Sequence, residues 1–326
     1  MTDGNLRTAS IAFLFPGQGS QAAGMGKELA ALHPVARQTF EEADDALGYK
    51  LSQLCFEGPD EQLKLTEITQ PAILTVSVAA WRVLAEAGIA PGFVAGHSLG
   101  EYSAHVAAGT LAFADAVRTV RNRGRYMQEA VPVGEGAMAA ILMLDLAQVE
   151  AACREALTGT GEVCQPANIN SPGQIVISGA KAAVERAAEL CKQKGAKRAV
   201  MLPVSAPFHC ALMQPAQERL AADLKALAFK APQVPVMCNV DAAALREADA
   251  ARDALIRQVT GAVQWEKSMR GMIADGVETF VEVGPGGVLS GLMRQIDKSK
   301  TALNVENEAT LEKVKSHFAQ AGSAAL

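Results

Sequence analysis

Short apolar runs alternate with amphipathic stretches along most of the chain. Ile11–Phe15 and Phe93–Ala95 are apolar runs that each lead into a glycine-containing loop. Helical patterns occupy four segments, at about 35–48, 71–88, 101–108 and 113–130. We expect the second of these to begin at Pro71, because proline is well tolerated in the first turn of a helix. Strand, loop and helix in alternation predict an α/β fold with a largely parallel sheet covered by helices.

The stretch from 136 to 204 has a different order of patterns. These predict strands and helices at Ala137–Leu144, Leu146–Leu157, Glu162–Ile169, Gln174–Ser178, Ala182–Lys194 and Arg198–Val204. The order β-α-β-β-α-β is typical of ferredoxin-like units. We therefore predict a small domain over 136–204, inserted into a larger discontinuous domain over 1–135 and 205–326.

Length, charge and cysteine usage argue against some classes of function. A chain of 326 residues is long enough for two domains, or for one large domain with an insert. Thirty Lys and Arg residues against thirty-five Asp and Glu residues give a net charge of −5. Because a phosphate backbone requires a basic face, we expect no nucleic-acid partner. The six cysteines are scattered without a CxxC pair, which argues against a zinc site or a disulfide framework.

Hydropathy predicts no membrane segment. The longest apolar runs, such as Val76–Val83, are far shorter than the roughly 20 residues that span a bilayer. Met1–Ser10 is polar and lacks the apolar centre of a signal peptide. Together with the cysteine usage, these features predict a cytoplasmic protein.

The second loop carries a candidate nucleophile. Gly96-His97-Ser98-Leu99-Gly100 is a G-x-S-x-G sequence between a predicted strand and a predicted helix. In this setting the serine lies at the helix N-terminus, where free backbone N–H groups can stabilise an oxyanion. The alternative is a strand–helix turn whose serine only caps the helix.

Of the five histidines, His209 is the candidate base for Ser98. It follows the predicted insert in a loop at a strand end, where functional residues tend to lie. A structural histidine is an equally good interpretation of this pattern alone. The first loop, Phe15–Gln21, lacks the lysine of a P-loop. It fits close backbone approach to a ligand better, with the Gln18 N–H as an oxyanion donor.

One arginine of the helix at 113–130 is predicted to point inward. Arg118, Arg121 and Arg125 share one side of the helix, whereas Arg123 lies on the apolar stripe with Val120 and Met127. A buried guanidinium requires an anionic partner and suits a carboxylate. That partner is either an internal acid or the free carboxylate of an acyl ligand.

Together these residues resemble the malonyl-CoA:acyl carrier protein transacylase family of bacterial fatty acid synthesis. The similar segments are FPGQGSQ (15–21), TQPA (69–72), GHSLGEY (96–102), RGRYMQEA (123–130), NSPG (170–173), SAPFH (205–209), VQWEKS (263–268) and EVGPG (282–286). They occur in the family's order and cover the chain to about residue 295.

The resemblance implies an α/β-hydrolase-like large domain with a ferredoxin-like insert. It implies Ser98 as nucleophile, His209 as base, and the backbone N–H groups of Gln18 and Leu99 as the oxyanion hole. Arg123 would bind the malonyl carboxylate, and the main-chain carbonyl of Gln264 would orient the histidine.

The resemblance also implies the partners. The substrates would be malonyl-CoA and holo acyl carrier protein, with no cofactor and no metal, in a monomeric enzyme that supplies fatty acid synthesis. The alternatives are a serine hydrolase or thioesterase, a non-catalytic acyl-binding module, and the same transferase serving polyketide synthesis.

Overall fold

A parallel sheet forms the centre of the larger part of the molecule. The computed structural model describes residues 10–204 and 206–323, so residues 1–9 of the polar N-terminal segment and Ser205 lie outside the described residues. The sheet has six strands in the order β10-β9-β1-β2-β7-β8, parallel except for the last pair. Its strands are β1 (Ile11–Phe15), β2 (Phe93–Gly96), β7 (Val236–Met237), β8 (Ala244–Leu245), β9 (Thr279–Val283) and β10 (Thr301–Val305).

Helices cover both faces of this sheet. Alternate residues of β1 belong to different cores, with Phe13 and Phe15 in one and Ala12 and Leu14 in the other. This is the consequence of side chains alternating along a strand that is buried on both faces. The helices are α1 (Lys27–Leu32), α2 (Pro34–Leu47), α3 (Leu51–Glu57), α4 (Asp60–Leu63), α5 (Thr66–Glu86), α6 (Gly100–Ala107), α7 (Phe113–Glu129), α10 (Gln214–Ala226), α11 (Ala248–Arg257), α12 (Trp265–Ala274), α13 (Val288–Ile296) and α14 (Glu308–Ser323).

Residues 136–201 form a second, antiparallel sheet with its own apolar core. Its elements are β3 (Gly136–Leu142), α8 (Leu146–Ala156), β4 (Cys164–Ser171), β5 (Gln174–Ala180), α9 (Lys181–Gln193) and β6 (Arg198–Met201). The strand order is β4-β5-β3-β6. The predicted β-α-β-β-α-β order is therefore confirmed. The turn between β4 and β5 is shorter than predicted, because Asn170 and Ser171 belong to β4.

The start of α5 was predicted wrongly. The helix begins at Thr66, so Pro71 lies inside it rather than at its first turn. Proline removes one helical hydrogen bond, but most residues of α5 are buried, and packing stabilises it. α5 is long and apolar enough to cross a membrane, yet 78% of its most apolar window is buried inside the structure. It is packed as a core helix.

Two glycines make the turn after β2 possible. A Cβ on Gly96 would lie 1.9 Å from Gly100 backbone atoms, and one on Gly100 would lie 2.0 Å from the Phe15 carbonyl oxygen. The neighbouring atoms are backbone and cannot rotate away. Both glycines of the G-x-S-x-G sequence are therefore required sterically, and β1, β2 and α6 meet at this point.

We expect Gly100→Ala to lower the free energy of unfolding by about 2 kcal/mol or more, because the new methyl group overlaps the Phe15 carbonyl. Urea unfolding measures this. Gly291→Ala in α13 is the matched control: a Cβ there has nothing within 4 Å. It should stabilise the protein by about 0.5–1 kcal/mol through helix propensity. Equal effects of the two substitutions would contradict the steric argument.

Candidate active site

Ser98 lies on the sharp turn between β2 and α6. Its φ of 52° is in the left-handed region, which a non-glycine residue adopts at some energetic cost. The Ser98 backbone N–H donates to Asn239 Oδ1 at 2.7 Å, which holds the turn. The predicted strand–loop–helix setting of the serine is thereby confirmed.

His209 is the histidine that contacts Ser98. The Ser98 Oγ–His209 Nε2 distance is 2.7 Å. His209 Nδ1 faces two carbonyl oxygens, Gln258 O at 2.9 Å and Gly261 O at 3.2 Å. Carbonyls only accept, so Nδ1 carries the ring proton and Nε2 accepts from the serine hydroxyl. Burial, and to a lesser degree the charge of Arg123, lower the pKa of His209 to about 3. The imidazole is therefore neutral and able to take a proton.

The prediction that the Gln264 carbonyl orients His209 is wrong. Gln264 precedes α12, and its carbonyl accepts the Ser268 N–H at 2.9 Å as the first hydrogen bond of that helix. Gln258 instead follows the last residue of α11. Carbonyls at a helix C-terminus lack helical partners, so the Gln258 carbonyl is available to the histidine.

Arg123 is buried as predicted and contacts Ser98. Its side chain is 1% exposed. Nη2 donates to Ser98 Oγ at 3.1 Å and to Gln258 Oε1 at 3.0 Å, while Nη1 donates to Gln70 Oε1 at 2.8 Å. All three acceptors are neutral oxygens, and burial lowers the pKa of this guanidinium. A buried cation with neutral partners beside a hydroxyl can accommodate a ligand carboxylate.

The first glycine loop lies against the serine turn. A Cβ on Gly17 would be 2.5 Å from the His97 carbonyl oxygen, so the loop approaches the turn closely. The Gln18 side chain accepts from Gln70 Nε2 at 3.1 Å, which connects it to the Arg123 network. Leu99 is buried directly before α6.

Four residues of the site had no predicted role. Asn239 and Gln258 bind the Ser98 turn, Gln70 binds Arg123, and His97 Nε2 lies 2.8 Å from Asn170 Oδ1 of β4. Gln70 lies within the TQPA segment, which was a signal that could have found it. Asn239 and Gln258 lie in no quoted segment.

Metal-binding geometry is lacking in the part of the chain that the structure describes. No group of three or more His, Cys, Asp or Glu side chains there could hold a metal ion. The six cysteines all lie in this part, and each is a buried free thiol.

A serine on a strained turn, paired with a neutral histidine, is the arrangement of enzymes that form acyl intermediates. The acyl transferase domain model matches residues 12–320, and the chain belongs to this family. It is 56% identical over 293 residues to the malonyl CoA-acyl carrier protein transacylase of Escherichia coli K12, covering 90% of this chain and 94% of the relative.

Solved structures show the same fold. An acyl carrier protein S-malonyltransferase from Vibrio cholerae superposes with a TM-score of 0.91 at 51% identity, over 94% of this chain and 99% of that one. A malonyl-transacylase solved in complex with its type II PKS acyl-carrier protein superposes with a TM-score of 0.92 at 48% identity, over 94% of this chain and 99% of that one. Each is a mixed α/β structure, as predicted for this chain.

Proposed function

We propose that the protein transfers the malonyl group of malonyl-CoA to the phosphopantetheine thiol of acyl carrier protein. The observation that carries this function is the position of Ser98 Oγ, 2.7 Å from a neutral histidine nitrogen and 3.1 Å from a buried guanidinium. The 56% identity to a malonyl CoA-acyl carrier protein transacylase agrees with it. The product is the malonyl thioester that fatty acid synthesis consumes.

Ser98 is the nucleophile of this reaction, and His209 is its base. Nε2 takes the hydroxyl proton while Oγ attacks the thioester carbonyl. Collapse of the tetrahedral intermediate breaks the carbon–sulfur bond, and His209 returns the proton to the departing CoA thiolate. The carrier thiol then gives its proton to His209 and attacks the carbonyl of malonyl-Ser98. Collapse of this second intermediate breaks the bond between the acyl carbon and Oγ, and His209 returns the proton to Ser98.

The backbone N–H groups of Gln18 and Leu99 form the oxyanion hole in this mechanism. The close approach of the first loop to the turn supports Gln18, and the position at the start of α6 supports Leu99. The Ser98 N–H is already bound to Asn239, so it is not a free donor. Arg123 binds the malonyl carboxylate.

We assign the remaining features by the same proposal. A larger α/β-hydrolase-like domain over 1–135 and 205–326 carries the nucleophile and base, and a ferredoxin-like domain over 136–204 covers the site. The separate core of the second sheet supports this division. The enzyme works as a cytoplasmic monomer without cofactor or metal.

Two other activities would use the same turn. A thioesterase would release malonate to water, and a binding module would not need the Ser98–His209 contact. The transferase family match favours neither. A transferase serving polyketide synthesis would use the same chemistry, as the complex with a type II PKS carrier illustrates for that protein.

Intact-protein mass spectrometry tests the proposed function. Mixed with malonyl-CoA alone, the protein should gain one malonyl group and lose it again when holo acyl carrier protein is added. Free malonate without a lasting adduct would favour the thioesterase. Neither adduct nor turnover would favour the binding module.

We expect the rate of acyl-enzyme formation to vary by less than about threefold between pH 5 and 8, because a base whose pKa is lowered to about 3 stays neutral throughout. Quenched-flow mass spectrometry measures this rate. Glu101, buried beneath the serine turn, has a pKa within this range, since burial raises it to about 7. Glu101→Gln removes that titration. A fall near pH 6.5 in both proteins would contradict a neutral His209.

A further inference from the structure

Glu101 lies beneath the serine turn and reaches the site through two other residues. It belongs to the first turn of α6, and its side chain is fully buried. Its Oε2 accepts the Asn239 backbone N–H at 3.0 Å and Gln258 Nε2 at 2.8 Å. Its Oε1 has no hydrogen-bond partner among the described residues, and His105 Nε2, 4.0 Å from Oε1, belongs to a neutral imidazole because burial lowers the pKa of His105 to about 3.

Such a carboxylate is costly for the fold. Burying an acid without a directly bound cation is unfavourable, and the two donors that Oε2 accepts offset this cost only in part. Burial raises the pKa of Glu101 to about 7, although the bonds from Gln258 and Asn239 oppose this shift. A glutamate at this position is therefore better explained by a role in the active site than by a contribution to stability.

Gln258 connects Glu101 to the catalytic residues. Its backbone carbonyl accepts from His209, its Oε1 accepts from Arg123 at 3.0 Å, and its Nε2 donates to the Ser98 carbonyl at 2.9 Å. A primary amide has one accepting end and one donating end. If it turned over, Nε2 would face the Arg123 guanidinium, donor against donor. Glu101 Oε2 and the Ser98 carbonyl both accept from Nε2, so together they hold the donating end and keep Oε1 towards Arg123.

Glu101 also holds Asn239, through the Asn239 backbone. Its backbone N–H is bound by Glu101, and its Nδ2 donates to the Gly96 carbonyl at 2.7 Å. Oδ1 is thereby left to accept the Ser98 N–H. One buried oxygen atom thus binds the Gln258 side-chain amide and the Asn239 backbone, and both residues bind the serine turn.

We propose that Glu101 is a positioning residue for malonyl selectivity, because it fixes the Gln258 amide that holds Arg123 against Ser98. This inference rests on the proposed function, since the selectivity is that of malonyl over acetyl transfer. The property required of Glu101 is a hydrogen-bond acceptor at the Oε2 position. A glutamine could supply that acceptor, whereas a leucine could not.

Kinetics with malonyl-CoA and acetyl-CoA test the proposal. Glu101→Leu should lower kcat/KM for malonyl transfer roughly 10- to 100-fold more than for acetyl transfer, the size of a lost charge-assisted contact. Glu101→Gln should keep the malonyl-to-acetyl ratio within about threefold of the wild-type ratio. Equal losses for both acyl groups in Glu101→Leu would overturn the proposal, as would a glutamine variant that is as unselective as the leucine variant.

Glu282 provides the matched control. It is also a buried carboxylate, and it accepts two backbone N–H groups of α13, from Leu289 at 3.0 Å and Ser290 at 2.8 Å, rather than groups that bind the serine turn. Glu282→Leu should lower the Tm but leave the malonyl-to-acetyl ratio unchanged. A ratio that falls equally in both leucine variants would mean that Glu101 has only a structural role.

Gln258→Leu removes the intermediary but keeps the backbone carbonyl that binds His209. It should shift the ratio as Glu101→Leu does, and it gives this readout even if Glu101→Leu fails to fold. In the double variant the two shifts should not add. An unchanged ratio in Gln258→Leu, or additive shifts, would overturn the proposal. Absence of a malonyl adduct on the wild-type protein would instead refute the proposed function, and this inference with it.

Discussion

Ser98→Ala should abolish the malonyl-enzyme and lower turnover by at least about 10⁴-fold, the usual scale for removing an activated nucleophile. The hydroxyl donates to His209 Nε2 at 2.7 Å and accepts from Arg123 at 3.1 Å. No other hydroxyl has these partners among the described residues. Intact-protein mass after incubation with malonyl-CoA measures the adduct, and transfer to holo acyl carrier protein measures turnover.

Two variants accompany this measurement. Ser103→Ala changes a buried serine one turn further along α6, whose Oγ has no hydrogen-bond partner in the described part of the chain. It should leave the adduct intact. His209→Ala keeps the nucleophile but removes its base, so the adduct should form slowly rather than not at all. A normal malonyl adduct on Ser98→Ala would exclude Ser98 as the nucleophile.

The residues that the sequence predicted best are those whose position follows from a repeating pattern. The spacing of apolar residues along α7 placed Arg123 inside, and the structure buries it while Arg118 and Arg125 stay exposed. The strand–glycine–helix pattern located Ser98, because only glycine fits where β1, β2 and α6 meet. In both cases the position of the residue depends on its neighbours in the sequence, so the sequence pattern predicts it.

The orienting carbonyl of His209 could not be found in this way. Every residue has a backbone carbonyl, so no side chain marks the one that binds a histidine 49 positions away. No helix was predicted over Ala248–Arg257, whose last carbonyls lack helical partners, and the resemblance indicated Gln264 instead. Glu101 and Asn239 are similar cases, because their roles depend on contacts between distant segments.

Arg123→Ala is the substitution with the largest expected effect on selectivity. A malonyl group bound to Ser98 brings its free carboxylate close to the guanidinium, whose two terminal nitrogens suit a bidentate pair. We expect kcat/KM for malonyl transfer to fall about 10²- to 10³-fold, and for acetyl transfer by no more than about tenfold, since acetyl has no carboxylate to lose. Steady-state kinetics with malonyl-CoA and acetyl-CoA measure both values.

Two further arginine variants separate charge from geometry. Arg123→Lys keeps the charge but loses the planar fork, so malonyl transfer should recover only in part. Arg118→Ala removes an exposed arginine of the same helix that pairs with Asp115 at 2.7 Å, and it should change neither substrate. Equal losses of malonyl and acetyl transfer in Arg123→Ala would mean that Arg123 only supports Gln70 and Gln258. A loss confined to malonyl transfer requires instead that the guanidinium bind the acyl carboxylate directly, because the two substrates differ in that group alone.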